Sequence, residues 1–159
     1  GMIITNDESL AKRAKHMTTT AKVPHRWDFV HDEIGYNYRM TNVSAAIGVA
    51  QMECVDKYLS SKRAIAAAYD QFFSGSNVTF FKERDFCKSN YWLNVVLLEN
   101  RDERDKFLTY TNDHGVMTRP IWTLMNKLTM FSNCPFMNLD NSLWLEERVV
   151  NVPSSAIVK

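Results

Sequence analysis

Two short clusters hold most of the side chains able to do chemistry. Gly35-Tyr36-Asn37-Tyr38-Arg39-Met40-Thr41 stands directly ahead of a run that reads as a helix. An amide, a guanidinium and a hydroxyl beside the positive end of a helix suit an anion or a phosphate, which the unpaired N–H groups of the first turn also attract. The plainer reading is a glycine-bearing turn whose tyrosines pack in the core and whose arginine is solvated. On composition alone the plainer reading wins. The second cluster, Thr118-Arg119-Pro120-Ile121-Trp122, sets an arginine at a strand end beside an indole. That pairing suits an anionic or sugar ligand, but as a bare pattern it is weak.

Other chemistries find less support. There is no G-x-G-x-x-G, no G-x-x-x-x-G-K-[ST], no H-E-x-x-H and no G-x-S-x-G. His25 and His31 match no standard metal spacing, and no carboxylate or thiolate is placed to complete a set, so no metal is expected. Cys54, Cys87 and Cys134 are odd in number and form no C-x-x-C pair, which suggests neither zinc nor a disulfide framework. Cys54 falls on an apolar helix stripe and reads as core.

The elements that must position these clusters follow from periodicity. Met2-Ile3-Ile4 reads as a short strand belonging to a larger sheet. Thr5 and Glu8 have the form of a capping box for a helix carrying Leu10, Ala14 and Met17. From 18 to 40 periodicity is lost, yet Trp27, Phe29, Tyr36 and Tyr38 argue against disorder, so an ordered loop packed on something is expected. A long helix over 41–73 follows, with Thr41 as its cap. Its stripe runs through Val43, Ile47, Ala50, Cys54 and Tyr58, then Ile65, Tyr69 and Phe72, and Gly75 stops it. Gly48 marks a close helix contact, because glycine otherwise weakens a helix by about 1 kcal/mol.

Further on, 78–81 reads as an edge strand and 91–98 as a nearly apolar strand covered on both faces. Asn100 and Glu103 cap a helix ending at His114-Gly115, and 116–119 returns as a strand broken by Pro120. An aromatic loop runs to Phe136, 143–147 is a short helix, and 149–152 is a last strand. The fold class is α/β, α+β-like over this half: a small sheet with helices against it.

The chain has 159 residues, 45% hydrophobic and 23% charged, with a formal net charge of +1. That length bounds it to one domain, with or without a small appendage. The balanced charge argues against nucleic acid or anionic lipid as a default partner. No apolar run is long enough to cross a bilayer and the start lacks the layout of a secretory signal, so a cytoplasmic protein is expected.

Taken in order, the segments are more specific than either cluster. Gly1-Met2-Ile3-Ile4-Thr5-Asn6-Asp7-Glu8, Gly35-Tyr36-Asn37-Tyr38-Arg39-Met40-Thr41-Asn42, Ala45-Ala46-Ile47-Gly48 and Gln51-Met52 resemble the second half of the pyridoxal-phosphate-dependent nucleotide-sugar aminotransferases of the DegT/StrS type. The resemblance continues through Gly115-Val116-Met117-Thr118-Arg119-Pro120 and Val150-Asn151-Val152-Pro153-Ser154-Ser155 and covers essentially the whole chain. Lys22-Val23-Pro24-His25-Arg26-Trp27 and Arg119-Pro120-Ile121-Trp122 look most like the branch that aminates 4-keto sugars toward bacillosamine or legionaminic acid.

The resemblance implies the C-terminal domain of the fold-type-I architecture. Residues 1–40 would be a remnant of the large cofactor domain (strand, helix, interface loop), and 41–159 the small α/β domain. It implies that Asn37 reaches across a dimer interface to the phosphate of the partner's pyridoxal phosphate, with Arg39 near that site. Arg119 and Trp122 would line the nucleotide-sugar pocket. In the family the cofactor lysine, the aspartate on the pyridine nitrogen and the aromatic stacked on the ring lie upstream of the position of Gly1. No lysine here matches, so no catalytic residue is assigned. Transamination needs that lysine twice, to hold and exchange the cofactor and as the base that moves a proton.

The expectation is therefore a truncated, C-terminal part of an aminotransferase acting on a 4-keto nucleotide sugar with an amino-acid donor. The pathway would be that of cell-surface polysaccharide or sialic-acid-like sugars. Such a part would be inactive alone, would bind no pyridoxal phosphate by itself, and would form a homodimer. Two alternatives stand beside it: a non-catalytic dimerisation or interaction protein derived from that fold, and an unrelated small α/β ligand-binding domain.

Overall fold

The computed structural model describes residues 1–157. They fall into two compact units, Gly1–Glu53 and Cys54–Lys159, where the sequence reading places its boundary at 40/41.

In the first unit, α1 spans Glu8–Thr18. Its cap is Asp7 rather than the expected Thr5. The Asp7 carboxylate accepts from the N–H of Ser9 at 2.8 Å and of Leu10 at 3.1 Å, while the Thr5 hydroxyl accepts from Asp7 N at 3.0 Å. A carboxylate at the positive helix end is the stronger cap, and these donors, the Ser9 hydroxyl first, hold the Asp7 pKa below its ordinary value. Residues 2–4 form no strand. A strand exists only through a partner's ladder, and no described residue supplies one.

The segment 19–41 is ordered, as expected, and folds back on α1. Thr20 N donates to Tyr36 O at 3.0 Å, Tyr36 N to Met17 O at 2.7 Å and Tyr38 N to Thr18 O at 3.0 Å. Thr20 and Ala21 take φ of +69° and +49°, a left-handed pair that costs a β-branched residue strain and persists only because its surroundings over-determine it. Gly35 lies directly on that pair: a Cβ there would sit 2.4 Å from Ala21 N and 2.5 Å from Thr20 C. Only glycine allows so close an approach.

Helix α2, Asn42–Glu53, starts from Thr41, whose Oγ1 accepts from Ser44 N at 3.2 Å. It bears no charge from Asn42 to Met52 and buries none of its residues. Ala21 is the one buried residue of the whole first unit.

The expected single helix over 41–73 is interrupted at Cys54 (φ −106°, ψ −1°), after which α3 runs Val55–Phe73. Nothing in the local sequence explains the break. On α3 the sheet-facing residues are Ala66, Tyr69 and Phe73, while Phe72 is 79% exposed. The stripe is therefore displaced by one residue at its end from the expected one. Gly75, with φ +81°, follows the helix as its sequence position predicted.

Four short strands make an antiparallel sheet in the order β1-β2-β4-β3: β1 Thr79–Phe80, β2 Asn94–Leu97, β3 Arg119–Pro120 and β4 Val149–Val152. Asn94 pairs with Val152 and Leu97 with Val149 across the centre. Along β2 the residues alternate between buried and half-buried, so one face is covered rather than both, the usual condition of an antiparallel sheet. Helix α3 packs against β1, and α4, Arg101–Asp113, against β4. Between them lies the core: Ala66, Phe80, Val96, Leu98, Val150 and Val152. Phe80 stacks between Tyr69 at 6.1 Å and Tyr91 at 6.4 Å. Asn100 caps α4, accepting from Glu103 N at 3.0 Å. Helix α5, Asp140–Glu146, leads into β4.

The link from β1 to β2 is clamped onto α3. Arg63 grips the Glu83 carboxylate with both guanidinium nitrogens and donates to Ser89 O at 2.7 Å, while Ser89 N returns to Glu83 at 2.5 Å. These bonds, the guanidinium first, hold the Glu83 carboxyl down to about 2. No helix among the described residues is long and apolar enough to cross a membrane.

Candidate functional site

Asn37 and Arg39 lie in the first unit on the stretch that the backbone bonds above brace against the end of α1, and Thr19 and Asn37 form a β-bridge. Both side chains are exposed. The Thr41 hydroxyl is already committed to Ser44, as acceptor of its N–H and as donor to its Oγ at 3.0 Å, so it does not complete an anion site. Tyr36 and Tyr38 stack on each other 5.5 Å apart and stay exposed, which overturns the core-packing part of the plainer reading. An amide and a guanidinium on a braced loop, free to meet an anion brought from outside, are what remains.

Arg119 and Trp122 belong to the second unit. Thr118, buried, ties the strand start to α4: its Oγ1 lies 2.6 Å from Thr111 Oγ1, and Asn112 Nδ2 donates to its carbonyl at 3.1 Å. Asn151 Nδ2 holds the Pro120 carbonyl at 3.3 Å. The backbone beneath Arg119 is thus fixed while its side chain is exposed, touching the Met117 sulfur at 3.2 Å. Trp122 is 68% exposed.

The two expected-unliganded histidines are engaged separately. His25 Nδ1 accepts from Asp28 N at 3.0 Å, and His31 Nδ1 lies 2.6 Å from Thr20 O. The more concentrated charge cluster joins residues that sequence spacing does not connect. His16 on α1 places Nε2 2.6 Å from Asp32 Oδ1 and 3.5 Å from Glu33 Oε1, and Arg13, one turn earlier, grips both Glu33 oxygens. The hydrogen bond from His16 holds the Asp32 carboxyl below its ordinary value. The helical spacing of Arg13 and His16 was the available signal, but their partners lie across a loop whose path periodicity does not reveal.

Lys12 pairs with Glu8 at 2.8 Å, Lys82 with Asp70 at 2.8 Å, Lys106 with Asp102 at 2.6 Å, and Lys127 with Glu146. Lys62 donates to Ser154 O at 2.6 Å, and Lys22 lies 3.8 Å over the Phe29 ring.

The model of the DegT/DnrJ/EryC1/StrS aminotransferase family matches residues 1–159. GDP-perosamine synthase of Escherichia coli O157:H7 is 38% identical over 132 residues, covering 83% of this chain and 36% of that protein. GDP-perosamine synthase of Vibrio cholerae is 32% identical over 159 residues, covering 97% and 42%. These names do not belong to the expected bacillosamine branch, which is corrected accordingly. The crystal structure of the aminotransferase TlmJ from Streptoalloteichus hindustanus superposes with a TM-score of 0.85 at 20% identity, over 97% of this chain and 42% of that one. The fold is that of the fold-type-I sugar aminotransferases, and the chain spans about two fifths of the length of the relatives it matches.

Proposed function

Because the chain belongs to the DegT/DnrJ/EryC1/StrS aminotransferase family, we propose that it is the C-terminal part of a cytoplasmic, pyridoxal-phosphate-dependent aminotransferase. The whole enzyme would transfer an amino group from an amino acid to a 4-keto nucleotide sugar for cell-surface polysaccharide or sialic-acid-like sugars. The named relatives favour a GDP-linked sugar over the UDP-linked ones of the bacillosamine route. Residues 1–40 would continue the large domain and 41–159 would be the small one.

Pyridoxal phosphate, when bound to such an enzyme, supplies an electron sink for the carbon that loses its proton. The residues present fit only the phosphate-holding share of that task. Asn37 and Arg39, exposed on a braced loop, suit the phosphate of a cofactor held by a second subunit. Arg119 and Trp122 suit the pyrophosphate and the sugar or base of the substrate. By resemblance no lysine of this sequence matches the family's anchoring position, so no transfer step is assigned to this chain.

One observation carries the assembly half of the proposal: the first unit buries a single alanine while exposing a helix that is uncharged up to Glu53 and leaves Val43, Ile47, Val49 and Met52 in solvent. A helix of that kind belongs under protein. The loop meets α1 through polar groups and leaves Trp27 67% and Phe29 79% exposed, so folding back does not cover the aromatics. A second copy is the proposed cover, making a homodimer.

The test is direct. Purified chain supplied with pyridoxal phosphate, glutamate and a GDP- or UDP-linked 4-keto sugar is expected to yield no amino sugar. Amino sugar is expected when a lysine-bearing N-terminal part of a perosamine synthase is supplied in trans. Turnover by the chain alone overturns the proposal. Failure in trans, with a stable dimer, favours the dimerisation protein instead.

A further inference from the structure

His16, Asp32 and Glu33 take no part in the function proposed above, and their chemistry is that of a ligand set. One imidazole nitrogen and two carboxylates offer atoms that all lie within 4.8 Å of one another. We propose that they form a site for a divalent transition-metal ion of the zinc class, which would pin the 19–37 segment to α1.

The donor types select the ion. Imidazole with carboxylates suits zinc and its neighbours, whereas calcium and magnesium take oxygen sets. Ligand atoms at about 2.0–2.1 Å from a tetrahedral zinc stand roughly 3.3 Å apart. The two distances from His16 Nε2, 2.6 Å to Asp32 and 3.5 Å to Glu33, bracket that spacing. The third pair, Asp32 to Glu33, lies within 4.8 Å, so rotation of the carboxylates toward His16 would seat an ion, with a fourth position left for water.

The frame is already built, so binding would not have to order it. Asp32 N donates to Ala21 O at 3.3 Å, and Lys22 and His31 form a β-bridge immediately before the two acids. His16 is held in α1, and its carbonyl accepts from Ala21 N at 2.8 Å. Rigid backbone on both sides is what a metal site needs from its support.

Arg13 is the competitor. Its guanidinium occupies both Glu33 oxygens and neutralises one of the two negative charges. A metal must displace that grip, at least from one oxygen, and must take the place of the His16–Asp32 contact. Affinity therefore rises when Arg13 is removed.

Zinc chloride is titrated calorimetrically into the whole chain after alkylation of Cys87 and Cys134, whose exposed thiols would otherwise compete. One saturable site is expected, with a higher melting temperature when it is filled. His16→Ala and Asp32→Asn are each expected to weaken it at least tenfold, and Arg13→Gln to tighten it severalfold. If His16→Ala disturbs the fold by circular dichroism, the nearly isosteric Asp32→Asn decides. The absence of a saturable site, or a site unchanged by Asp32→Asn, overturns the proposal.

Discussion

Two glycines of the first unit face opposite constraints, and single substitutions should separate them. A methyl group on Gly35 would collide with the backbone of Thr20 and Ala21, which cannot yield as a flexible side chain would. Gly35→Ala is expected to lower stability by about 1–3 kcal/mol, read from urea unfolding monitored by tryptophan fluorescence. A methyl on Gly48 meets nothing within 4 Å among the described residues, so the close contact expected there is not made within the first unit. Gly48→Ala should raise the melting temperature of the monomer, by up to about 1 kcal/mol of stability, because only the helix cost of glycine is removed. Glu83 sets a different test. Its folded pKa, about 2, lies below the ordinary carboxylate value, so its stabilising effect is complete above that ordinary value and is lost as pH falls through about 2. Carbon NMR of the glutamate carboxyls should find one titrating near 2, and Arg63→Gln should return it toward the normal range.

At the scale of elements, the second unit was the more legible. The Asn100 cap, the helix after it, and the strand 149–152 appear where composition places them, because each is signalled by neighbours in sequence. Asn100→Ala should therefore cost about 1 kcal/mol, the ordinary loss of a helix cap, visible as a shifted urea midpoint with an unchanged slope. Phe80→Ala, which empties the space between Tyr69 and Tyr91, should cost about 3–5 kcal/mol. What sequence hid was set by distant partners. Residues 2–4 are apolar and extended in pattern but find no ladder among the described residues, and the break at Cys54 carries no glycine or proline. The proposed site was legible by residue type alone: Asn37, Arg39, Arg119 and Trp122 carry groups suited to an anionic or sugar ligand, but the bracing that holds Asn37 in place depends on Gly35 meeting residues fourteen or more positions earlier. Asp32 and Glu33 were not visible as partners of α1 for the same reason.

For the whole molecule, the exposed apolar surface of α2 makes association at micromolar concentration the expected state, read by light scattering as a mass above the 18.4 kDa of one chain. Ile47→Lys with Met52→Lys should return the mass to that of a monomer without lowering the melting temperature of the second unit, since both side chains already face solvent. The sheet constrains how any such association proceeds. Its two outer strands, β1 and β3, are two residues long, and β3 ends on Pro120, which has no N–H to donate. An incoming chain finds almost no free rungs on either side. Recognition at this sheet must therefore be written in the shapes of its side chains rather than in backbone pairing, and crowding of many copies should not extend it into growing fibres.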